Sequence, residues 1–320
     1  MSDINSNLSD NFYDNEDYYP DAVIPGTVRM ILLIAFIIPS LLCYLFVIVC
    51  TLVKKSLRSA PNNYVMLFML FTSLLVVGTD IPWAIYCYHQ YTVLIKSPMF
   101  CLVWWFIDAF GLYTSQVLTA WATLERHILI FHSHFYNRKR VMICCHYLAP
   151  IVLLLYMLIF YIYVIFLLPC ETRWQLDGNL CYEPCYFSDY VFGLWETILH
   201  GMITTIFIII FSSLLIIRVC RSRRRLQQSV HWGKYRRMFF QLISISALYL
   251  SINFPICIVY IFHYTSDLSW TYASIQVLSF LNYFIPLLLP FVCLTSRGGI
   301  VISIKQILKR QKNRRVDIHS

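Results

Sequence analysis

The stretch CLVWWFIDAFGLYTSQVLTAWATLERH, residues 101–127, decides how this chain folds. Before it reaches Glu125 it carries a single charged side chain, Asp108. A run of about 18 or more predominantly apolar residues is long enough to cross the hydrocarbon core of a bilayer as a helix. The polar triplet Glu125-Arg126-His127 then marks the end of the apolar stretch at the membrane surface. We therefore predict a membrane-spanning helix over residues 97–124.

The same kind of stretch recurs along the chain. Apolar residues make up 59% of the 320 residues and charged residues only 13%, whereas a soluble domain carries about 25% charged residues. Strands of a membrane barrel need about 10 residues of alternating polarity, and these stretches are longer and do not alternate. We predict an all-α membrane protein, a seven-transmembrane helix bundle, with uncharged stretches at 30–53, 59–79, 97–124, 141–170, 190–217, 238–266 and 268–296. The helix of the second stretch is expected to continue past Asp80 to about residue 88.

The basic residues indicate the orientation of the bundle. With Arg126, 22 of the 25 lysines and arginines fall in the loops after the first, third and fifth spans and in the C-terminal tail. Cytoplasmic loops carry such an excess. We therefore expect an extracellular N-terminus and a cytoplasmic C-terminus in the plasma membrane. The net charge of +9 then faces anionic lipid and cytoplasmic partners, and nucleic acid is not needed to explain it.

Three regions follow from this topology. Residues 1–27 are acidic and are expected to form a disordered extracellular tail, in which Asn7-Leu8-Ser9 is a glycosylation acceptor. Residues 28–296 form the seven-span domain. Residues 297–320 are predicted to be a cytoplasmic amphipathic helix on the membrane surface followed by a basic tail, because Ile300, Ile304, Ile307 and Leu308 share one helical face.

Several motifs make the chain resemble one membrane-protein family over about 28–310. An acid-Arg-aromatic triplet, Glu125-Arg126-His127, ends the third span, and Cys101 lies at its outer end. Leu57–Tyr64 resembles that family's first intracellular turn, while Pro255 and Pro290 match its prolines in the sixth and seventh spans. The family is that of the rhodopsin-like G-protein-coupled receptors, and this chain resembles a divergent member.

The resemblance implies roles for individual residues. Cys101 is expected to form a disulfide with Cys181 or Cys185 in the second extracellular loop, and the two loop cysteines left over, one of which is Cys170, could pair with each other. The sixth span is expected to pivot at Pro255 and free Arg126, so that a heterotrimeric G protein, and also arrestin, can dock on the inner face. The residues expected to serve coupling and activation are Glu125, Arg126, His127, Phe135, Pro255 and Pro290.

Some residues of the family's motifs are missing. In this register, Tyr44 stands where the family has Asn in the first span, and Ser73 where it has Asp in the second. Asn253 stands where it has Trp in the sixth span. The resemblance therefore implies that the family's buried sodium site is absent. The seventh span contains no lysine, which argues against a retinal-binding photoreceptor.

Three acids, Asp80, Asp108 and Glu196, lie within the predicted spans. A carboxylate in the membrane usually faces a cavity or a partner. In amine receptors of the family, the acid at the position of Asp108 binds the ligand ammonium, and a tyrosine at the position of Tyr283 hydrogen-bonds that acid. We therefore predict an extracellular cationic ligand, an amine or a peptide, contacting Asp108, Tyr283, Trp104, Glu196 and Tyr260.

A polytopic transporter or channel is the alternative function. It would use Asp80, Asp108 and Glu196 along one translocation path. No enzyme is predicted, because the sequence contains no Gly-rich phosphate loop and no nucleophile elbow. The histidines lack the spacing of metal ligands, so neither a metal nor another cofactor is predicted.

Overall fold

A computed structural model describes residues 23–53, 62–131, 142–170, 181, 183–226, 243–266 and 269–295. Within these ranges the chain contains no strand and has seven helices long and apolar enough to cross a membrane, which confirms the predicted fold class. The expected surface helix after residue 296 lies outside the described residues. The spanning helices are α1 (Gly26–Val53), α2 (Tyr64–Gln90), α3 (Pro98–Ile128), α4 (Ile143–Leu167), α5 (Tyr190–Arg218), α6 (Ile243–Ser266) and α7 (Trp270–Leu294).

The seven helices form a bundle with α3 near its centre. Helix α3 contacts α2, α4 and α5, while α1 packs on α2 and α7, and α6 packs on α5 and α7. Large apolar side chains cover the outer surface, as in Leu42, Leu45 and Val49 of α1, which are each more than half exposed. Tyr44 on the same helix is fully buried. An apolar exterior around a packed interior suits a bilayer and not water.

Helices α2 and α3 approach each other closely at Gly111. A Cβ atom added at Gly111 would collide with the Val76 side chain and would lie 3.3 Å from the Thr72 carbonyl oxygen. Small residues at helix contacts in membranes allow this kind of approach. The contact positions the outer half of α3, which carries Asp108, directly against α2.

Five segments of the bundle are π-helical, with the wider turn that often occurs at functional sites. Two of them contain buried acids: Val76–Asp80 in α2 ends with Asp80, and Glu196–Ile203 in α5 begins with Glu196. A third, Tyr249–Asn253, lies directly before Pro255 in α6. The other two, Ile143–Leu148 and Tyr163–Leu167, lie at the ends of α4. The extra residue in such a turn changes which side chains face the interior.

Helices α1 and α7 are joined by one buried hydrogen bond. Pro290 lies inside a helical segment and has no N–H to donate to the carbonyl four residues earlier, that of Pro286. The Tyr44 hydroxyl donates to this Pro286 carbonyl oxygen at 2.7 Å. A side chain from α1 thus supplies the donor that the proline removes from α7.

Candidate functional site

Two disulfides fix the loop between α4 and α5 to the Cys101 end of the bundle, which the sequence predicts to be the extracellular end. Cys101 of α3 is bonded to Cys181, and Cys170 is bonded to Cys185. The sequence left the partner of Cys101 open between Cys181 and Cys185, and the structure has Cys181. A short helix, Cys185–Ser188, hereafter the loop helix, follows the second bridge.

The loop helix inserts aromatic side chains between the spanning helices. Tyr186 is fully buried and Phe187 is nearly so. The Phe187 ring lies 5.7 Å from the rings of Trp105 in α3 and Tyr260 in α6. Among the predicted ligand contacts, Tyr260 is therefore packed beneath the loop. The loop helix is thus packed between α3 and α6.

The first group of buried polar side chains centres on Asp80 of α2, which is fully buried. One oxygen of its carboxyl group accepts hydrogen bonds from the Trp104 indole N–H at 2.5 Å and from the Tyr283 hydroxyl at 3.3 Å. The partly exposed Asp108 adjoins the same carboxyl group. Two acids, an indole and a phenol from α2, α3 and α7 thus form one cluster.

The expected bond from Tyr283 to Asp108 is wrong, because Tyr283 bonds Asp80 instead. The π-helical turn in α2 carries Asp80 into the interior, and the helical structure of α7 is interrupted at Tyr283. Trp104 likewise reaches Asp80, one turn away from Asp108 along α3. Sequence reasoning placed Asp80 only on a transport path, and its membership of this cluster was missed.

The second group surrounds Glu196 of α5, which is 1% exposed. The hydroxyl groups of Tyr113, Tyr161 and Tyr186 adjoin its carboxyl group. Neither carboxylate oxygen completes a hydrogen bond with any residue that the structure describes. His200, further along the same π-helical segment, bonds the Tyr156 hydroxyl at 2.9 Å. An acid in the membrane is thus enclosed by phenols that belong to α3, α4 and the loop helix.

Deeper in the bundle, amide and hydroxyl groups link α3, α5 and α6. The Gln116 amide donates to the Gly201 carbonyl oxygen at 2.7 Å and lies 2.9 Å from the Thr205 hydroxyl. Asn253 donates to the same Thr205 hydroxyl at 3.1 Å. A small cavity next to this network is lined by Leu112, Tyr113, Gln116, Tyr249, Asn253, Asn282 and Ile285. The network connects Gly201 and Thr205 of α5 to the π-helical segment just before Pro255.

At the inner end of α3, Glu125 pairs with His146 of α4, and both side chains are almost fully buried. Arg126 is buried beside them, and its Nη1 atom has no hydrogen-bond partner among the described residues. The His127 ring lies 5.9 Å from the ring of Phe211 in α5. Phe135 and Asn7 lie outside the described residues, so they remain predictions.

A comparison of the sequence with known protein families covers most of the helix bundle. A family profile described as "7 transmembrane receptor (rhodopsin family)" matches residues 45–293. This match covers more than half of the chain and includes α2 to α6 completely. The chain belongs to the rhodopsin family of seven-transmembrane receptors.

Membership of the rhodopsin family explains the position of the groups described above. Proteins of this family are receptors, which work with G proteins and ligands. The Cys101–Cys181 bridge and the Glu125-Arg126-His127 triplet lie at the two opposite ends of α3 in this receptor. The chain is therefore a multi-pass membrane protein with a receptor's architecture. A search of curated proteins found no significant match.

Proposed function

We propose that this receptor binds an extracellular cationic ligand, an amine or a peptide, and activates a heterotrimeric G protein. The ligand would enter between the outer halves of α3, α5, α6 and α7. Its cationic group would contact Asp108, and the aromatic side chains of Trp104, Tyr260 and Tyr283 would line the cavity. The protein would act in the plasma membrane with its N-terminus outside and its C-terminus in the cytoplasm.

One observation carries this proposal: Asp80 and Asp108 adjoin each other, and neither forms an ion pair with a described lysine or arginine. Two neighbouring carboxyl groups in a low-dielectric site repel each other when both are ionised. A ligand cation would relieve that repulsion. Asp108 is the more exposed residue of the two, and its enclosed Oδ1 atom has no hydrogen-bond partner among the described residues.

On the inner side, Arg126 and Pro255 would transmit the signal. Ligand binding would favour a state in which the part of α6 before Pro255 moves outward, since a proline weakens a helix at that point. The ligand can drive this change only through its difference in affinity for the two states. Arg126 would then face the G protein, and arrestin would bind the same opened surface. Glu125, His127, Phe135 and Pro290 are further residues proposed for coupling.

The test is ligand-stimulated nucleotide exchange on purified G proteins. We expect an amine agonist from a screen to lose at least tenfold in potency on Asp108→Asn, because one charge-assisted hydrogen bond is lost. An agonist whose potency survives this change would remove Asp108 from the site. Amine-driven solute flux into liposomes containing the purified protein, without nucleotide exchange, would instead support the transporter.

A further inference from the structure

We infer that Glu196, with Tyr113, Tyr161 and Tyr186, forms a second cation-binding site, so that the ligand of this receptor carries two basic groups. The inference rests on the proposed function, because the first basic group is the one assigned to Asp108. The second site lies in α5 and faces α3, α4 and the loop helix. It would hold an ammonium group at the far end of a diamine or of a peptide with two basic side chains.

The carboxyl group of Glu196 lacks a partner that its burial requires. Both oxygens are enclosed, and neither completes a hydrogen bond with a described residue. Buried polar atoms without partners are uncommon and costly, and an intramembrane acid usually pairs with another group. The hydroxyl groups of Tyr113, Tyr161 and Tyr186 lie next to it, but phenols carry no positive charge. The buried acid thus has polar neighbours and no cationic partner among the described residues.

No basic side chain among the described residues forms an ion pair with Glu196. His200 lies on the same π-helical segment, but its Nε2 atom bonds the Tyr156 hydroxyl at 2.9 Å and its Nδ1 atom has no partner among the described residues, so it does not pair with Glu196. Its ring packs at 4.7 Å against the ring of Phe160. No lysine or arginine among the described residues forms an ion pair with Glu196. A compensating positive charge would therefore come from outside the protein.

The aromatic rings around Glu196 suit a cation. Tyr113 and Tyr161 stack with ring centroids 6.2 Å apart and planes inclined by 23°. Tyr260 and Tyr264 of α6 stack in the same way, at 6.2 Å and 22°. The faces of such rings attract ammonium groups. The acid provides a charge-assisted hydrogen bond, and the rings provide an apolar enclosure that excludes water.

The two acids lie near enough to each other for one molecule to reach both. Asp108 and Tyr113 lie five residues apart on α3, which corresponds to about 8 Å along the helix axis and about 140° around it, so the ligand would have to pass from the α2 side of α3 to the α5 side. Tyr113 adjoins Glu196, and Tyr186 of the loop helix lies near both Glu196 and Asp108. An extended chain of several carbons spans such a distance. Entry to the second site would require Tyr186 to move aside.

A series of unbranched diamines tests the inference directly. The purified receptor in lipid nanodiscs is titrated with α,ω-diaminoalkanes of three to eight carbons and with monoamines of equal length, and binding is followed by thermal stabilisation. We expect one diamine length to bind at least tenfold more tightly than its monoamine, the effect of one additional charge-assisted hydrogen bond. The absence of a diamine advantage at every length would overturn the inference.

Two substitutions at Glu196 sharpen the test. Glu196→Gln should abolish the advantage of diamine over monoamine. Glu196→Asp, which keeps the charge but withdraws the carboxyl group by one methylene, should move the preferred diamine to a longer chain. Asp189→Asn is the matched control, because Asp189 caps the start of the same helix from an exposed position and Asn caps equally well. An advantage that survives Glu196→Gln would refute the second site.

The two proposals fail in different ways. Nucleotide exchange driven by monoamines through Asp108, with no gain from any diamine, would leave the receptor function standing and would overturn the second cation site. Diamine binding that depends on Glu196, without nucleotide exchange on any G protein, would support the site and count against the proposed coupling. The melting temperature of unliganded Glu196→Gln, compared with that of the natural protein, reports whether the variant is folded.

Discussion

The hydrogen bond from Tyr44 to the Pro286 carbonyl oxygen makes a measurable prediction about what stabilises the bundle. Tyr44→Phe removes only the hydroxyl group, and the carbonyl has no alternative donor in its own helix because residue 290 is proline. Leaving a buried acceptor unsatisfied costs about 1–3 kcal/mol. Hydrogen bonds between membrane helices average about 0.6 kcal/mol and reach about 1.7 kcal/mol. We expect a loss of about 1–2 kcal/mol in the free energy of unfolding.

Tyr264→Phe is the control for this prediction. The Tyr264 hydroxyl is also enclosed, but it has no hydrogen-bond partner among the described residues. Its removal should therefore change the free energy of unfolding little, or raise it slightly. Denaturant titration in mixed micelles, followed by tryptophan fluorescence, measures both variants without ligand. A Tyr44→Phe variant no less stable than Tyr264→Phe would refute the reasoning about the proline-freed carbonyl.

Two further predictions concern helix contacts. Gly111→Ala should lower the melting temperature, because its Cβ would collide with Val76 and overpacking costs about 1–3 kcal/mol. Gly78→Ala is the control and should not lower it, since a Cβ there meets no atom within 4 Å. Equal losses in the two variants would exclude the α2–α3 contact as the cause. His146→Phe and Glu125→Gln should each destabilise the receptor, because each leaves a buried group without its partner. The double variant should lose less than the sum of the two, and strictly additive losses would show that the pair contributes no coupling.

The seven spans could be predicted from the sequence because the bilayer imposes a length and a polarity on every crossing. Most of the uncharged stretches match the observed helices within about five residues, as at α1, predicted over 30–53 and observed over Gly26–Val53. The exception is the second stretch, 59–79, because α2 continues past Asp80 to Gln90. The inward faces were harder to predict. Apolar residues cover both the lipid face and the core of α1, so hydrophobicity alone does not separate buried Leu33 from exposed Leu42.

The contacts within the candidate site were predicted less well, because they depend on an irregular helical turn, on the path of a loop and on residues distant in the sequence. The bond from Tyr283 to Asp80 depends on a π-helical turn in α2, and a regular helical register does not contain that turn. The choice between Cys181 and Cys185 depends on the path of the loop, and spacing along the chain leaves that path open. The partner of Glu125 lies 21 residues away in α4, as His146. Each outcome depends on a neighbour that the sequence does not identify.

The substituted family positions retain a structural role with different side chains. Tyr44 replaces the family's asparagine and bonds the Pro286 carbonyl oxygen. Ser73 replaces its aspartate, and the Ser73 hydroxyl lies 2.9 Å from the Ser115 hydroxyl. Asn253 replaces its tryptophan and bonds Thr205. Because Ser73 is neutral, α2 carries no charge at that depth, and its buried acid is Asp80, seven residues or about two helical turns nearer the outer face. An acid at the level of Trp104 lies close to where the proposed ligand would enter. The loss of the family's inner aspartate therefore does not argue against a receptor, since the buried charge of α2 lies where a ligand could contact its neighbour Asp108.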